Sequence, residues 1–186
     1  RYRAQGFLDD DFYSTLRLFA DVVGAQERCE DVIAYLEECR TDLEQRTAGI
    51  PEEEKQRVYT GAVTFNGRHG FAFTYVNFPP FAAIGANNVA DVFLESATGE
   101  AAQEAEQSGT AYVGQNGFEV DLEQILAWDP DVVFLDPGNM DLVNDEYKSN
   151  PGFFSSLRAI QEGEVYAMPS SNAAGPNMTY LMINAY

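Results

Sequence analysis

The chain is predicted to be an α/β protein: a three-layer lobe with a central, mostly parallel sheet, led into by a long helix. Three observations carry that expectation. Capped helical stretches alternate with short apolar strand runs along most of the 186 residues. Val132-Val133-Phe134-Leu135 is a continuous apolar run, β-branched and aromatic, of the kind that suits a strand covered on both faces. The stretch from Phe118 to Asp136 puts one helix directly before that strand, a compact αβ unit that implies a parallel or mostly parallel sheet with helices packed over it.

The elements follow in order. Leu8 to Asp11 precedes a first helix, Phe12 to about Val23, with acidic residues where the helix dipole favours them and Gly24 after its end. A longer helix is predicted from about Gln26 to Arg46. Cys29, Val32, Ile33, Leu36 and Leu43 form its apolar stripe, and Glu27, Glu30, Glu37, Glu38, Arg40 and Glu44 its wet side. Gly49-Ile50-Pro51 ends it. After a polar connector, residues 57–64 read as the first strand. Asn66-Gly67 and Gly70 mark a tight loop holding Arg68 and His69. Residues 71–76 alternate aromatic and small and fit a strand or an extended loop. Phe78-Pro79-Pro80-Phe81 breaks that run, and a helix is expected from there to about Leu94. Residues 96–108 read as a frayed helix or loop, residues 110–113 as a short strand, and Asn116-Gly117 as a turn.

In the Phe118–Asp136 unit, Asp121 followed three residues later by Gln124 is a capping-box pattern, so a helix should begin near Leu122. Leu122, Ile125 and Leu126 share one face at helical spacing. Asp129-Pro130 should stop it, because the residue before proline is pushed out of the α region. A strand over 131–135 follows, then short helices over 141–148 and 151–160, a strand over 164–168, a polar loop over 169–176 and a final helix from Met178.

Composition narrows the function. Hydrophobic content is 45%, so a packed core is expected rather than disorder. A chain of this length fits one domain, or one domain with an appendage, and buries roughly 70% of its unfolded surface. The formal net charge is −19, which repels nucleic-acid phosphates and anionic membranes. An anionic ligand would need a local cationic pocket. There is no initiator Met, no signal peptide and no transmembrane-length apolar run, and both ends look like cuts in a longer protein. Cys29 and Cys39 lie ten residues apart on one predicted helix, ~15 Å along its axis, too far to bridge to each other. No metal site is expected from two cysteines and one distant histidine.

Arg68 and His69 are the sharpest chemical signal. They sit between Gly67 and Gly70 after the first strand, and ligands in open α/β sheets bind outside the carboxyl ends of strands. A guanidinium there can grip a carboxylate, catecholate or phosphate in bidentate fashion. Phe71, Phe73, Tyr75, Phe78 and Phe81 form an aromatic cluster whose alternate members must point opposite ways, so part of the set, Phe73 and Tyr75 foremost, is a candidate cleft lining. Asn172 and Tyr180 follow the last strand and are further candidates. No Gly-x-Ser-x-Gly elbow and no phosphate-binding P-loop is present. Asp136 is the carboxylate at the functional end of its strand, so an α/β hydrolase-like enzyme using His69 and Asp136 stays open, as does a ligand-sensing or interaction domain. No catalytic residue is assigned.

The pattern Leu122-Glu123-Gln124-Ile125-Leu126, then Asp129-Pro130-Asp131-Val132-Val133, resembles the helix–strand signature of ABC-transporter solute-binding proteins, in the group with a rigid inter-lobe helix that binds iron–siderophores, haem and cobalamin. Gly67-Arg68-His69-Gly70, Phe78-Pro79-Pro80-Phe81 and Asn88-Val89-Ala90 resemble its iron-compound-binding subgroup. Phe154 to Ile160 followed by Gly163 to Pro169 resembles a helix and Val-Tyr strand near the end of its C-terminal lobe. The resemblance covers most of residues 25–186. It implies residues 1–50 as a helical segment including the inter-lobe helix, residues 51–186 as the C-terminal lobe, and an N-terminal lobe lying outside this segment. It implies no catalysis, no cofactor, and a small chelate as ligand, an iron–siderophore or haem-like one. The implied partner is the membrane permease of an importer, the implied location extracytoplasmic (periplasm or cell-surface lipoprotein), and the implied state monomeric. It also gives Glu123 a role. By its position in the helix Glu123 should be exposed, where it complements the dipole; by resemblance it meets arginines on the transporter.

Overall fold

The computed structural model describes residues 10–64, 67–76, 78–93 and 117–168. Two helices come first, α1 (Asp10–Val23) and α2 (Gln26–Thr47). Gly24, at φ +72°, makes the turn between them in a conformation that costs glycine little. Tyr13, Ile33 and Cys39 are buried between the two helices, and Arg17 joins Glu30 by two hydrogen bonds of 2.8 and 3.0 Å. With 22 residues, α2 is about 33 Å long. Its wet side is laced by Arg40–Glu37 and Arg46–Asp42 pairs. Leu43 near its end is buried against Ala83, which ties the helical segment to the α/β body. Cys29 and Cys39 are both free thiols. α1 also turns Leu18, Phe19, Val22 and Val23 outward, each at least 64% exposed. No described helix is long and apolar enough to cross a membrane.

The body is the expected sheet with helices over it. β1 (Arg57–Gly61), β3 (Asn87–Asn88), β5 (Val132–Leu135) and β6 (Val165–Ala167) form, among the described residues, a sheet of order β3-β1-β5-β6 with every pairing parallel. β2 (Phe73–Thr74) and β4 (Phe118–Glu119) make a separate antiparallel pair. α3 (Pro79–Ala83), α4 (Leu122–Trp128), α5 (Met140–Ser149), α6 (Pro151–Ser156) and α7 (Arg158–Glu162) complete the described elements.

Period-two alternation divides the strands between two cores. Tyr59, Val133 and Leu135 join Ile125, Phe153, Phe154 and Leu157 in one; Val58 and Val132 join Tyr75, Phe78 and Phe81 in the other. Tyr59 is fully buried and its hydroxyl donates to the Phe71 carbonyl at 2.9 Å. Burial pushes its phenol well above the ordinary range, so it stays a donor.

The Phe118–Asp136 unit is built as its sequence dictates at both helix ends. Asp121 Oδ1 accepts from the Glu123 N–H at 2.8 Å. Asp129 takes a left-handed conformation, φ +41°, and ends α4. At the amino ends of the strands Asp129 and Asp131 then hold the sheet to its helices. Arg57 donates to the Trp128 and Asp129 carbonyls at 2.8 Å each, Asp131 Oδ2 accepts from the Arg57 N–H at 2.7 Å, Arg158 pairs with Asp131, and Asp129 Oδ1 accepts from the Arg158 N–H at 2.9 Å. The Asp-Pro-Asp turn is thus structural.

Several expectations are corrected. The first strand ends at Gly61 rather than 64, because Ala62 sits at φ +56° and turns the chain out of the sheet. No helix runs from Phe81 to Leu94: α3 stops at Ala83, Gly85 at φ +61° reverses the chain, and Asn87–Asn88 becomes a sheet strand. Phe118–Glu119 forms a strand ahead of the helix. The helix expected over 151–160 is two, because Leu157 is extended and plunges fully buried into the core. Leu122, placed on the apolar face of α4, is exposed instead. The strand expected at 110–113, the 96–108 stretch, the 169–176 loop and the final helix lie outside the described residues.

Candidate functional site

The chain leaves β1 towards β3 on one side of the sheet and leaves β5 towards β6 on the other. The crevice outside the carboxyl ends of β1 and β5 is therefore the switch point where an open α/β sheet receives ligands. Two loops meet there, seen in residues 62–64 and 67–71 after β1 and in residues 136–141 after β5.

Polar side chains lock them together. Asn139, 1% exposed, donates to the Ala62 carbonyl at 2.6 Å and to Thr64 Oγ1 at 3.0 Å. That bond holds Ala62 in a left-handed conformation unfavourable for a residue with a Cβ. Asp136 accepts from the Gly138 N–H at 2.9 Å with one carboxylate oxygen and from the Thr64 N–H at 3.3 Å with the other. Both its oxygens are engaged by backbone, which makes it a loop brace rather than a general base.

Arg68 lies over this brace. Its guanidinium donates to Asn139 Oδ1 and to the Gly138 carbonyl, each at 3.3 Å, and pairs with the Asp141 carboxylate in the first turn of α5. The guanidinium beside Asp141 holds that carboxyl below the usual range. Further along the loop the Phe71 N–H donates to Glu146 on α5 at 2.7 Å. A side chain at Gly70 would overlap that carboxylate, so glycine there serves close approach. The loop is pinned to α5 at two points.

His69 is half-buried and stacks on Phe73, with ring centroids 3.6 Å apart and planes 7° from parallel. Phe73 is half-buried, whereas Tyr75 is buried in the core beside Phe78, 5.9 Å between centroids. The structure thus brings Arg68, His69 and Phe73 to one surface at the strand ends and sends Tyr75 inward. Asn172 and Tyr180 lie outside the described residues. Glu123 is exposed on the first turn of α4. Asp141 and Asn139, which the sequence reading did not single out, complete the site; both lie more than 70 residues from Arg68, and no local signal marks them. A cavity of about 380 Å³ is lined by Phe71, Glu119, Asp121, Glu146, Phe153 and Phe154, and none of its lining residues belongs to β1, β5 or the 136–141 loop. No group of three or more His, Cys, Asp or Glu side chains among the described residues could hold a metal ion.

Residues 2–172 match the family described as "Periplasmic binding protein". Among solved structures, an ABC-type Fe3+-hydroxamate transport system protein of Saccharomonospora viridis is 24% identical, with a TM-score of 0.60 over 97% of this chain and 53% of that one. The periplasmic vitamin B12 binding protein BtuF of Vibrio cholerae is 14% identical, TM-score 0.56, over 90% of this chain and 55% of that one. The molybdate periplasmic binding protein MolA of Haemophilus influenzae, bound to molybdate, is 18% identical, TM-score 0.56, over 86% and 41%. The likeness is one of fold, and the chain spans about half the length of these structures. No curated protein matches it.

Proposed function

The chain belongs to the periplasmic binding protein family, and from that premise we propose that the full-length protein is the substrate-binding component of an ABC importer for an iron chelate, siderophore or haem-like. The observation that carries the reading is the meeting of residues 62–64 and 67–71 with residues 136–141 at the switch point between β1 and β5, where Arg68, His69 and Phe73 lie. In this reading α2 is the inter-lobe helix and residues 51–186 are the C-terminal lobe. The uncovered apolar side of α1 fits contact with a preceding lobe. The chelate is held between the lobes, on this side by Arg68, His69 and Phe73. Tyr75, buried in the core beside Phe78, is proposed to contribute from that side, and Asn172 and Tyr180 are proposed as further ligand contacts. Glu123 docks the membrane permease. The protein works outside the cytoplasm, in the periplasm or as a cell-surface lipoprotein, as a monomer, and without a cofactor of its own.

Binding rather than catalysis gives a direct test. Full-length protein loaded with a ferric siderophore should carry it through gel filtration. On unfolding it should release chelator and iron unaltered, mole for mole with the protein bound. Release of a chemically modified chelator, abolished by His69→Ala, would instead establish the enzyme reading.

A further inference from the structure

We propose that the chelate taken by this site carries no net negative charge, and that Asp141 sets that preference by occupying Arg68. The inference rests on the proposed binding function and narrows its ligand class to siderophores without net negative charge, which excludes the propionate-bearing haem.

Arg68 is the natural grip for an anion at the strand ends, yet its guanidinium is already committed. It pairs with Asp141 and donates to the Gly138 carbonyl and to Asn139. A carboxylate on the protein therefore stands where the carboxylate, catecholate or phosphate of an anionic ligand would bind. Asp136 adds a second carboxylate under the same loop, buried and held by the Thr64 and Gly138 N–H groups. At this wall, among the described residues, Arg68 pairs with Asp141, while Asp136 and Glu146 accept from backbone N–H groups of the same loops. The whole sequence, at −19, adds a long-range field that also repels anions.

An anionic chelate would have to displace Asp141 and leave that carboxylate without its partner. A neutral or cationic chelate, a trihydroxamate for instance, meets no such cost. The stacked His69–Phe73 pair offers it an apolar, polarisable face, and the Arg68–Asp141 pair stays intact beneath. Asp141 acts here through Arg68, so it is a specificity-determining residue whether or not it touches the ligand itself.

Two probes of opposite charge separate this from a simple loss of fit: the cationic iron(III) complex of desferrioxamine B and an anionic iron(III) tris-catecholate. Wild-type full-length protein should bind the cationic chelate at least about tenfold more tightly, and Asp141→Asn should move the affinity ratio towards the anion by about tenfold or more. Glu162→Gln, which removes the same charge from an exposed site on α7, should leave the ratio unchanged. Unfolding curves matching wild type show that the Asn variant keeps the fold. Preference of wild type for the anionic chelate, an unmoved ratio in Asp141→Asn, or an equal shift in Glu162→Gln would each overturn the assignment while leaving chelate binding intact. Failure of the wild-type protein to bind either chelate would overturn the proposed function, and this inference with it.

Discussion

Glu123→Arg in the full-length protein is expected to abolish chelate uptake into vesicles containing its cognate transporter, while ligand affinity and thermal stability stay near wild type. Glu123 stands exposed in the first turn of α4, and its backbone N–H, not its side chain, is what Asp121 caps. Its carboxylate favours the helix dipole by only ~0.3–1 kcal/mol, so reversing the charge removes little folding energy. Docking is different. An exposed carboxylate at the rim of a protein–protein contact steers association and sets its salt dependence. Reversal turns attraction into repulsion against any arginine facing it. Partial rescue by reversing that arginine on the transporter completes the expected pattern. Normal transport by Glu123→Arg would remove Glu123 from the docking surface.

Phe71→Ala is expected to destabilise the protein by about 3–5 kcal/mol and to weaken chelate binding together with stability. Phe71 is 1% exposed, and its ring meets Tyr59, Phe153 and Phe154 with centroids 5.5, 5.7 and 5.1 Å away. Its carbonyl accepts from Tyr59 and its N–H donates to Glu146. Removing the ring leaves a cavity where β1, α6 and the 67–71 loop converge. The loop carrying Arg68 and His69 then loses its anchor. Urea unfolding monitored by circular dichroism reads the first effect and calorimetric titration the second. A midpoint within error of wild type would show that Phe71 does not anchor the loop.

The contrast between these two residues shows how much the sequence disclosed. Glu123 and its helix were legible because every determinant is local: the Asp121 cap, the stop at Asp129-Pro130 and the apolar run of β5 lie within twenty residues. The long helix was legible for the same reason, through its continuous stripe, and the observed end at Thr47 is one residue from expectation. Asn87–Asn88 was not legible as a strand. Its backbone is held by pairing with Arg57 and Val58, and the Asn88 side chain donates to the Tyr75 carbonyl at 3.0 Å, partners remote in sequence. The expectation of a continued α3 helix passed over Gly85, Asn87 and Asn88, all poor helix formers. The end of β1 was missed because Ala62 takes a left-handed turn that only the Asn139 bond, 77 residues on, makes tolerable.

The site divides in the same way. The glycine-flanked Arg68-His69 pair stood out by composition, and the fold puts it at the strand ends. That His69 lies flat on Phe73 follows from their spacing across a turn closed by the Phe73 N–H to Gly70 carbonyl bond at 3.1 Å. That Arg68 is paired could not be read from the chain, because Asp141 is 73 residues away and looks like one of many acids on a wet helix. Tyr75 was expected to line the cleft together with Phe73. The chain turns between β2 and α3, however, and the ring is drawn into the core beside Phe78.

The position of the bound chelate separates a ligand held at the strand ends from one held anywhere else on the lobe. Amide NMR spectra of labelled full-length protein with an iron(III) chelate and with its diamagnetic gallium(III) counterpart report distance from the metal directly. Paramagnetic broadening should be strongest for residues 62–64, 68–71 and 136–141, and weakest among these strands at their amino ends, near Arg57 and Asp131. Broadening centred on the amino ends, or on the Phe71–Phe153–Phe154 cavity, would contradict a ligand held at the carboxyl ends of β1 and β5.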